Sequence, residues 1–186
     1  MYQAYSIFGK IDAVINCVGI FSIDPTTIRI SINRFKTVPR GFFANVLGSV
    51  YISFYYTLLK EEGEGVILNV SPMITTNELE KLSVYFSRWV YNNSISTSMF
   101  EVLVMKEIRF LSISPSSMST LMLNIPYESE IEVRKALIMD SVIKRYHNYK
   151  EFVDLAIYAL NNSKINGVEL ELGNENYSRP PTVAKI

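Results

Sequence analysis

The chain has 186 residues, 48% of them hydrophobic, which is enough for one well-buried domain spanning residues 1–186. Its 18 basic and 18 acidic residues give a net charge of zero, which argues against partners such as nucleic acid or an anionic membrane surface. A single cysteine, no apolar run long enough to span a membrane and no signal peptide together predict a cytoplasmic protein.

Four short apolar runs predict β-strands, at residues 12–18, 65–71, 108–114 and 168–172. The first three are rich in Val, Ile, Leu and Phe, as expected of parallel strands that are covered on both faces. Helical patterns separate the runs, and this alternation predicts an α/β fold with right-handed crossovers.

The helix between the first two strands carries apolar residues at every fourth position. One row consists of Phe42, Val46, Val50, Phe54 and Leu58. A second row beside it consists of Phe43, Leu47, Tyr51, Tyr55 and Leu59. Together the rows are about twice as wide as packing on one sheet needs, so we expect part of this surface to contact something else.

Two further helices are predicted. The first lies between the second and third strands and is interrupted by a polar pair at 92–93; its apolar residues are Phe86, Val90, Met99, Phe100, Leu103 and Val104. The second begins near Asn148, because Glu151 three residues later completes a capping box. We expect its buried face to consist of Phe152, Val153, Ala156, Ile157 and Leu160.

Several polar residues and prolines recur in a fixed order along these elements. Asn16 and Gly19 bound the segment Asn-Cys-Val-Gly at the end of the first strand, and Asn45 lies in the first long helix. Tyr85 follows Pro72 by 13 residues and precedes Pro115 by 30. This order resembles the short-chain dehydrogenase/reductase family. The resemblance implies a partial Rossmann-like fold, a parallel sheet with flanking helices in which the first three family strands are absent.

The resemblance also implies roles for individual residues. Tyr85 matches the catalytic tyrosine that exchanges a proton with the substrate carbonyl, and Asn45 matches the asparagine that holds a proton-relay water. The positions matching cofactor-binding segments are Asn16, Gly19, Pro115 and Thr120. The two catalytic candidates also have plainer interpretations. Tyr85 can be an ordinary, partly buried tyrosine, and Asn45 can be a polar helix residue without a catalytic role.

Two family positions hold residues that cannot perform the family chemistry. Pro72 stands where the family has its serine, and Trp89 stands where it has the lysine that lowers the pKa of the tyrosine. Neither neighbour is expected to substitute: Arg88 is about 100° away around a helix, and Ser71 points to the other side of a strand.

Two functional hypotheses follow. The family's glycine-rich turn, which holds the cofactor pyrophosphate, is not found in these residues, so we expect no useful affinity for NAD or NADP. The favoured hypothesis is a catalytically inactive relative that serves as a binding or assembly module. The alternative is an NAD(P)-dependent oxidoreductase whose N-terminal cofactor-binding segment is missing from this chain.

The remaining expectations concern association and two reactive residue types. We expect a homo-oligomer that assembles through helices 40–60 and 85–106, with self-association also favoured by an unpaired edge at strand 12–18. Cys17 is interpreted as a small core residue at a strand end. His147 is interpreted as a solvated residue at a helix end, where it can favour a C-terminal dipole, and no metal site is predicted.

Overall fold

The structure is a computed structural model, and it describes residues 1–20, 42–60, 63–71, 100–115, 118, 120 and 147–173. Its elements in chain order are α1 (Tyr2–Phe8), β1 (Ala13–Asn16), a π-helical turn (Phe43–Leu47) that continues into α2 (Gly48–Leu59), β2 (Gly65–Val70), α3 (Phe100–Met105), β3 (Ile108–Pro115), α4 (Tyr149–Asn161) and β4 (Val168–Leu172).

The four strands form one parallel sheet in the order β1-β2-β3-β4. The register places Asn16 beside Asn69, and Asn69 beside Ser112. Because all the strands run the same way, their carboxyl ends meet at one edge of the sheet, where α/β folds place their sites. The predicted α/β class, with a parallel sheet and flanking helices, is confirmed.

Helices cover both faces of the two inner strands. On one face, α4 contributes to a core of Val66, Leu68, Leu111, Ile113, Ala156 and Ala159. On the other, α2 and α3 contribute to a core of Tyr56, Ile67, Leu103, Ile108 and Phe110. Burial on both faces explains why β2 and β3 could be recognised as apolar runs.

The last predicted strand has the predicted bounds, whereas the first is shorter than expected. β1 ends at Asn16, so Cys17 lies beyond the strand and is exposed. The interpretation of Cys17 as a core residue was therefore wrong. Among the described strands, β1 pairs only with β2, and Ile15 is 49% exposed.

The start of α4 was predicted correctly, but its buried face was partly wrong. The Asn148 side chain accepts a hydrogen bond from the Glu151 amide, and the Glu151 carboxylate accepts one from the Asn148 amide. Ala156 and Ala159 are buried, while Val153 and Ile157 are exposed. The two exposed residues lie about 100° around the helix from the sheet-facing line, so they point away from the core.

His147 also departs from expectation. It is 3% exposed and immediately precedes the N-cap of α4, so it lies near the start of a helix rather than at its end. Its Nδ1 atom lies 3.2 Å from Glu151 Oε2, the carboxylate of the capping box. The interpretation as a solvated helix-end residue was wrong because this contact and burial tie His147 to the first turn of α4.

Apart from Tyr56, the side chains that α2 buries are small and polar. Ser49, Ser53 and Thr57 are buried, and each hydroxyl donates to the carbonyl four residues earlier, at 3.1, 2.9 and 2.9 Å. These bonds within the helix give each buried hydroxyl a hydrogen-bond acceptor, and the side chains that carry the hydroxyls are small. Most of the large apolar residues of the predicted rows are exposed instead, namely Phe42, Phe43, Tyr51, Phe54, Tyr55 and Leu58.

Candidate functional site

Asn16 joins three elements at the carboxyl end of β1. Its Nδ2 atom donates to Asn69 Oδ1 on β2 and to Ser49 Oγ on α2, each at 2.9 Å. Its Oδ1 atom accepts from the Val18 amide at 3.2 Å. Asn16 and Asn69 are both buried, so these bonds form away from water, where the loss of a partner is costly.

Asn45 lies within the π-helical turn before α2 and is fully buried. Its Oδ1 atom accepts from the Ile20 amide at 2.7 Å, and its Nδ2 atom donates to the Ile20 carbonyl at 3.0 Å. The backbone carbonyl of Asn45 accepts from Ser49 Oγ. The side-chain amide therefore clamps the segment after β1 to the helix.

The ends of β2 and β3 add a second group of buried polar side chains that the sequence analysis did not identify: Asn69, Ser71, Ser112 and Ser114. Asn69 Nδ2 and Ser71 Oγ have no hydrogen-bond partner among the described residues. Ser114 Oγ donates to Glu169 on β4. The available signal was a polar residue at every second position near both strand ends, which places these side chains on one face.

Pro115 ends β3 beside Leu172 of β4, and Thr120 is half-buried in the segment that follows. Met118, between them, forms a parallel bridge with His147. The segment after β3 is thereby linked to the start of α4.

The structure brings three of the predicted site residues together. Asn16, Gly19 and Asn45 come together at the carboxyl end of β1, because Asn45 holds the residue next to Gly19. Pro115 lies at the end of β3, on the same edge of the sheet. Tyr85, Pro72 and Trp89 lie outside the described residues, so their predicted placement stays a prediction.

The described groups at this edge are mainly amides and hydroxyls. Such groups donate and accept hydrogen bonds but do not titrate near neutral pH, so they can position a partner and cannot act as a general acid or base. Within the described ranges, no group of three or more His, Cys, Asp or Glu side chains could hold a metal ion. No helix in these ranges is both long and apolar enough to span a membrane.

Comparison with known proteins identifies the lineage. The family model described as short chain dehydrogenase matches residues 1–130. The chain belongs to the short-chain dehydrogenase family. This confirms the resemblance inferred from the sequence. No curated protein matches the chain.

Solved structures share the fold. The angucycline C-6 ketoreductase LanV with bound NADP has a TM-score of 0.75 and 17% identity, and the match covers 91% of this chain and 65% of LanV. A short-chain dehydrogenase/reductase from Serratia marcescens has a TM-score of 0.75 and 21% identity, covering 92% of this chain and 67% of that one. The chain thus spans about two thirds of the length of these structures.

The described residues do not fit a complete dinucleotide site. A dinucleotide needs backbone amides at a glycine-rich turn between a strand and a helix to hold its pyrophosphate. The described residues contain no such turn, and the side-chain amides of Asn16 and Asn45 are already bonded to the protein.

Proposed function

We propose that this chain is a catalytically inactive short-chain dehydrogenase that serves as a binding or assembly module. The observation that carries the proposal is the pair of residues at the family's serine and lysine positions, Pro72 and Trp89. Proline has no hydroxyl to orient a substrate oxygen, and tryptophan has no cation.

The two substitutions affect the ability of Tyr85 to exchange a proton with a substrate. A tyrosine phenol has a reference pKa of about 10, so near neutral pH it exchanges a proton efficiently only when a nearby cation stabilises the phenolate. Without a lysine at position 89, that stabilisation is lost. Without a hydroxyl at position 72, a substrate carbonyl also lacks its second hydrogen-bond donor.

The bonds of Asn45 support a scaffolding role. Its side-chain amide is bonded on both sides to Ile20, and its carbonyl accepts from Ser49. Asn16 likewise joins β1 to β2 and α2. These polar residues hold the sheet edge together whether or not any reaction takes place there.

A second candidate is an NAD(P)-dependent oxidoreductase that requires a cofactor-binding segment beyond this sequence. The observation in its favour is that the chain covers only 65% of LanV, whose structure contains NADP. Pro72 and Trp89 weigh against it, because an added segment would supply a cofactor but neither the serine nor the lysine.

Assembly is proposed to use the outward face of α2. This face carries Tyr51, Phe54 and Tyr55, which are 58%, 52% and 57% exposed. Exposed aromatic residues that adjoin one another are typical of protein interfaces. In the family the corresponding helix packs in a bundle between subunits, so the proposed partner is a second copy of this chain.

The double substitution Tyr51→Glu and Tyr55→Glu is expected to raise the dissociation constant of the homodimer at least about tenfold, because buried aromatic anchors dominate interface energies. Sedimentation velocity over a concentration series measures this constant. The matched control is Tyr149→Glu on α4, a tyrosine of similar exposure (56%), which should leave the constant unchanged. A parent chain that stays monomeric at tens of micromolar would contradict the proposal.

A further inference from the structure

The turn that leads from α4 into β4 contains an Asn-Gly dipeptide, Asn166-Gly167, and this dipeptide occurs nowhere else in the sequence. Glycine after asparagine favours deamidation, because no Cβ atom hinders the approach of the glycine nitrogen to the asparagine side chain. Gly167 has a φ of 67°, a backbone conformation that glycine adopts readily. The turn thus combines a functional geometry with a chemically reactive pair of residues.

Phe110 on β3 holds both groups that would react. Its amide donates to Asn166 Oδ1 at 2.9 Å, and its carbonyl accepts from the Gly167 amide at 2.9 Å. The Asn166 side chain therefore acts as an acceptor for the strand, just before the pairing of Val168 with Leu111 begins. While both bonds are made, the Gly167 nitrogen faces Phe110 and is kept from turning toward the Asn166 side chain.

Arg109, the neighbour of Phe110, holds the rest of the turn. Its guanidinium lies at the C-terminal end of α4, where the helix dipole favours a cation. It donates only to backbone carbonyls there: Nη1 to those of Ala159, Asn162 and Ile165 at 3.0–3.1 Å, and Nη2 to that of Leu160 at 2.6 Å. One side chain on β3 thus fixes the backbone up to the residue before Asn166.

We infer that Asn166-Gly167 is a deamidation site that is protected while the turn is docked on β3 and reacts when the turn opens. In the open turn the Gly167 nitrogen attacks Asn166 Cγ and forms a new C–N bond. The side-chain amino group leaves as ammonia and takes the proton that the Gly167 nitrogen loses. Water then opens the resulting succinimide at either carbonyl, which leaves aspartate or isoaspartate at position 166.

The two products differ in their effect on the sheet. Aspartate keeps an oxygen that can accept from the Phe110 amide. Isoaspartate lengthens the backbone between positions 166 and 167 by a carbon atom, so the Phe110 amide and carbonyl can no longer both regain their partners. Opening of the turn would therefore become irreversible. The reaction needs no cofactor and no substrate, so it does not depend on whether the chain is catalytically active.

The first test compares the full chain in native buffer and in guanidinium chloride at the same mildly alkaline pH. Peptide mapping by mass spectrometry follows the conversion of Asn166 with time. The native chain is expected to react at least about a hundredfold more slowly, because the reaction must wait for the turn to open. Equal rates in the folded and unfolded chain would overturn the inference.

The substitution Arg109→Met removes the guanidinium and keeps an apolar stem. It is expected to raise the native rate of Asn166 deamidation at least about fivefold, because several backbone carbonyls lose a charged donor. Arg109→Lys restores a cation without the planar set of donors, so its rate should fall between those of the parent and Arg109→Met. This milder variant also keeps the test usable if Arg109→Met does not fold.

The matched control is Asn16→Leu, which removes buried hydrogen bonds on β1, the outer strand at the other side of the four-stranded sheet. It should leave the deamidation rate unchanged, because the turn before β4 opens locally. Equal acceleration by Asn16→Leu and Arg109→Met would show that the reaction requires global unfolding and would overturn the inference. An unchanged rate in both Arg109 variants would overturn it as well.

Discussion

Replacing Asn16 by leucine is expected to lower the free energy of unfolding by about 2–4 kcal/mol. The substitution removes the donor to Asn69 Oδ1 and the acceptor for the Val18 amide, while the Asn69 side chain stays buried. A buried polar group left without its partner costs more than the hydrogen bond itself contributed. Urea denaturation at equilibrium measures the loss.

Substituting Asn69, the hydrogen-bond partner of Asn16, tests whether the direct bond between them causes this loss. Asn69→Leu alone should destabilise the fold, but Asn16→Leu combined with Asn69→Leu should cost at least about 1 kcal/mol less than the sum of the single costs. In the double variant no amide of this pair remains buried without its partner. As a control, Asn16→Leu combined with Asn161→Leu, at an exposed position on α4, should be additive. Additivity for the Asn16 and Asn69 pair would rule out the direct bond.

Gly65→Ala is expected to destabilise the fold by about 1–3 kcal/mol, the usual cost of overpacking. The added methyl would lie 2.5 Å from the Tyr56 hydroxyl oxygen and 3.3 Å from its Cζ atom. The phenol must therefore move and lose its hydrogen bond to the Asp12 carbonyl. Thermal and urea unfolding both report the change.

The cause can be isolated by repeating Gly65→Ala in a Tyr56→Phe background. Removing the hydroxyl relieves the closest contact, so the cost of the added methyl should fall to about half or less. Gly48→Ala is the matched control, because its Cβ would meet only Phe43 O at an ordinary 3.6 Å. In a helix this change should stabilise by about 0.5–1 kcal/mol. An equal cost for Gly65→Ala in both backgrounds would contradict the proposed clash.

The sheet could be predicted from the sequence because its inner strands are buried on both faces. Val66, Leu68 and Leu111 pack against α4, and Ile67 and Phe110 pack against α2 and α3. Such strands are continuous apolar runs, so they can be recognised in a sequence without an alternating pattern of apolar and polar residues. The capping box of α4 was equally visible, because it depends on two residues three positions apart.

The packing of α2 could not be predicted from hydrophobicity. Its buried line runs through Asn45, Ser49 and Ser53, whose polar groups bond to backbone and to Asn16. A pattern of apolar residues identifies the helix. It assigns the wrong side to the core when the buried side is polar and its hydroxyls donate to backbone carbonyls of the same helix. For the same reason, the burial of Ser112 and Ser114 on β3 could not be predicted from hydrophobicity.

The candidate site residues were named from the sequence, and their roles in binding or catalysis stay predictions. The convergence of Asn16, Gly19 and Asn45 follows from the order of motifs along a parallel fold. The bonds that turn Asn45 into a clamp could not be predicted, because they depend on where the backbone of Ile20 passes. The burial of His147 likewise depends on its contact with the capping box, which sequence spacing alone does not reveal.

Reversing the two substitutions at the active site should not restore a reaction. Pro72→Ser combined with Trp89→Lys would return a hydroxyl and a cation to the positions that the family uses. This sequence would still contain no glycine-rich turn to hold a cofactor pyrophosphate. We therefore expect the double variant to remain at background in carbonyl reduction.

The most direct test of the central claim is NADPH-dependent carbonyl reduction by the full chain, measured beside Tyr85→Phe with a broad set of ketones and aldehydes. The claim predicts that both proteins stay at the background rate, because a phenol without a neighbouring cation or a partner hydroxyl does not support proton transfer at neutral pH. Turnover by the parent chain that Tyr85→Phe abolishes would show that Tyr85 is catalytic and that the chain is an active reductase.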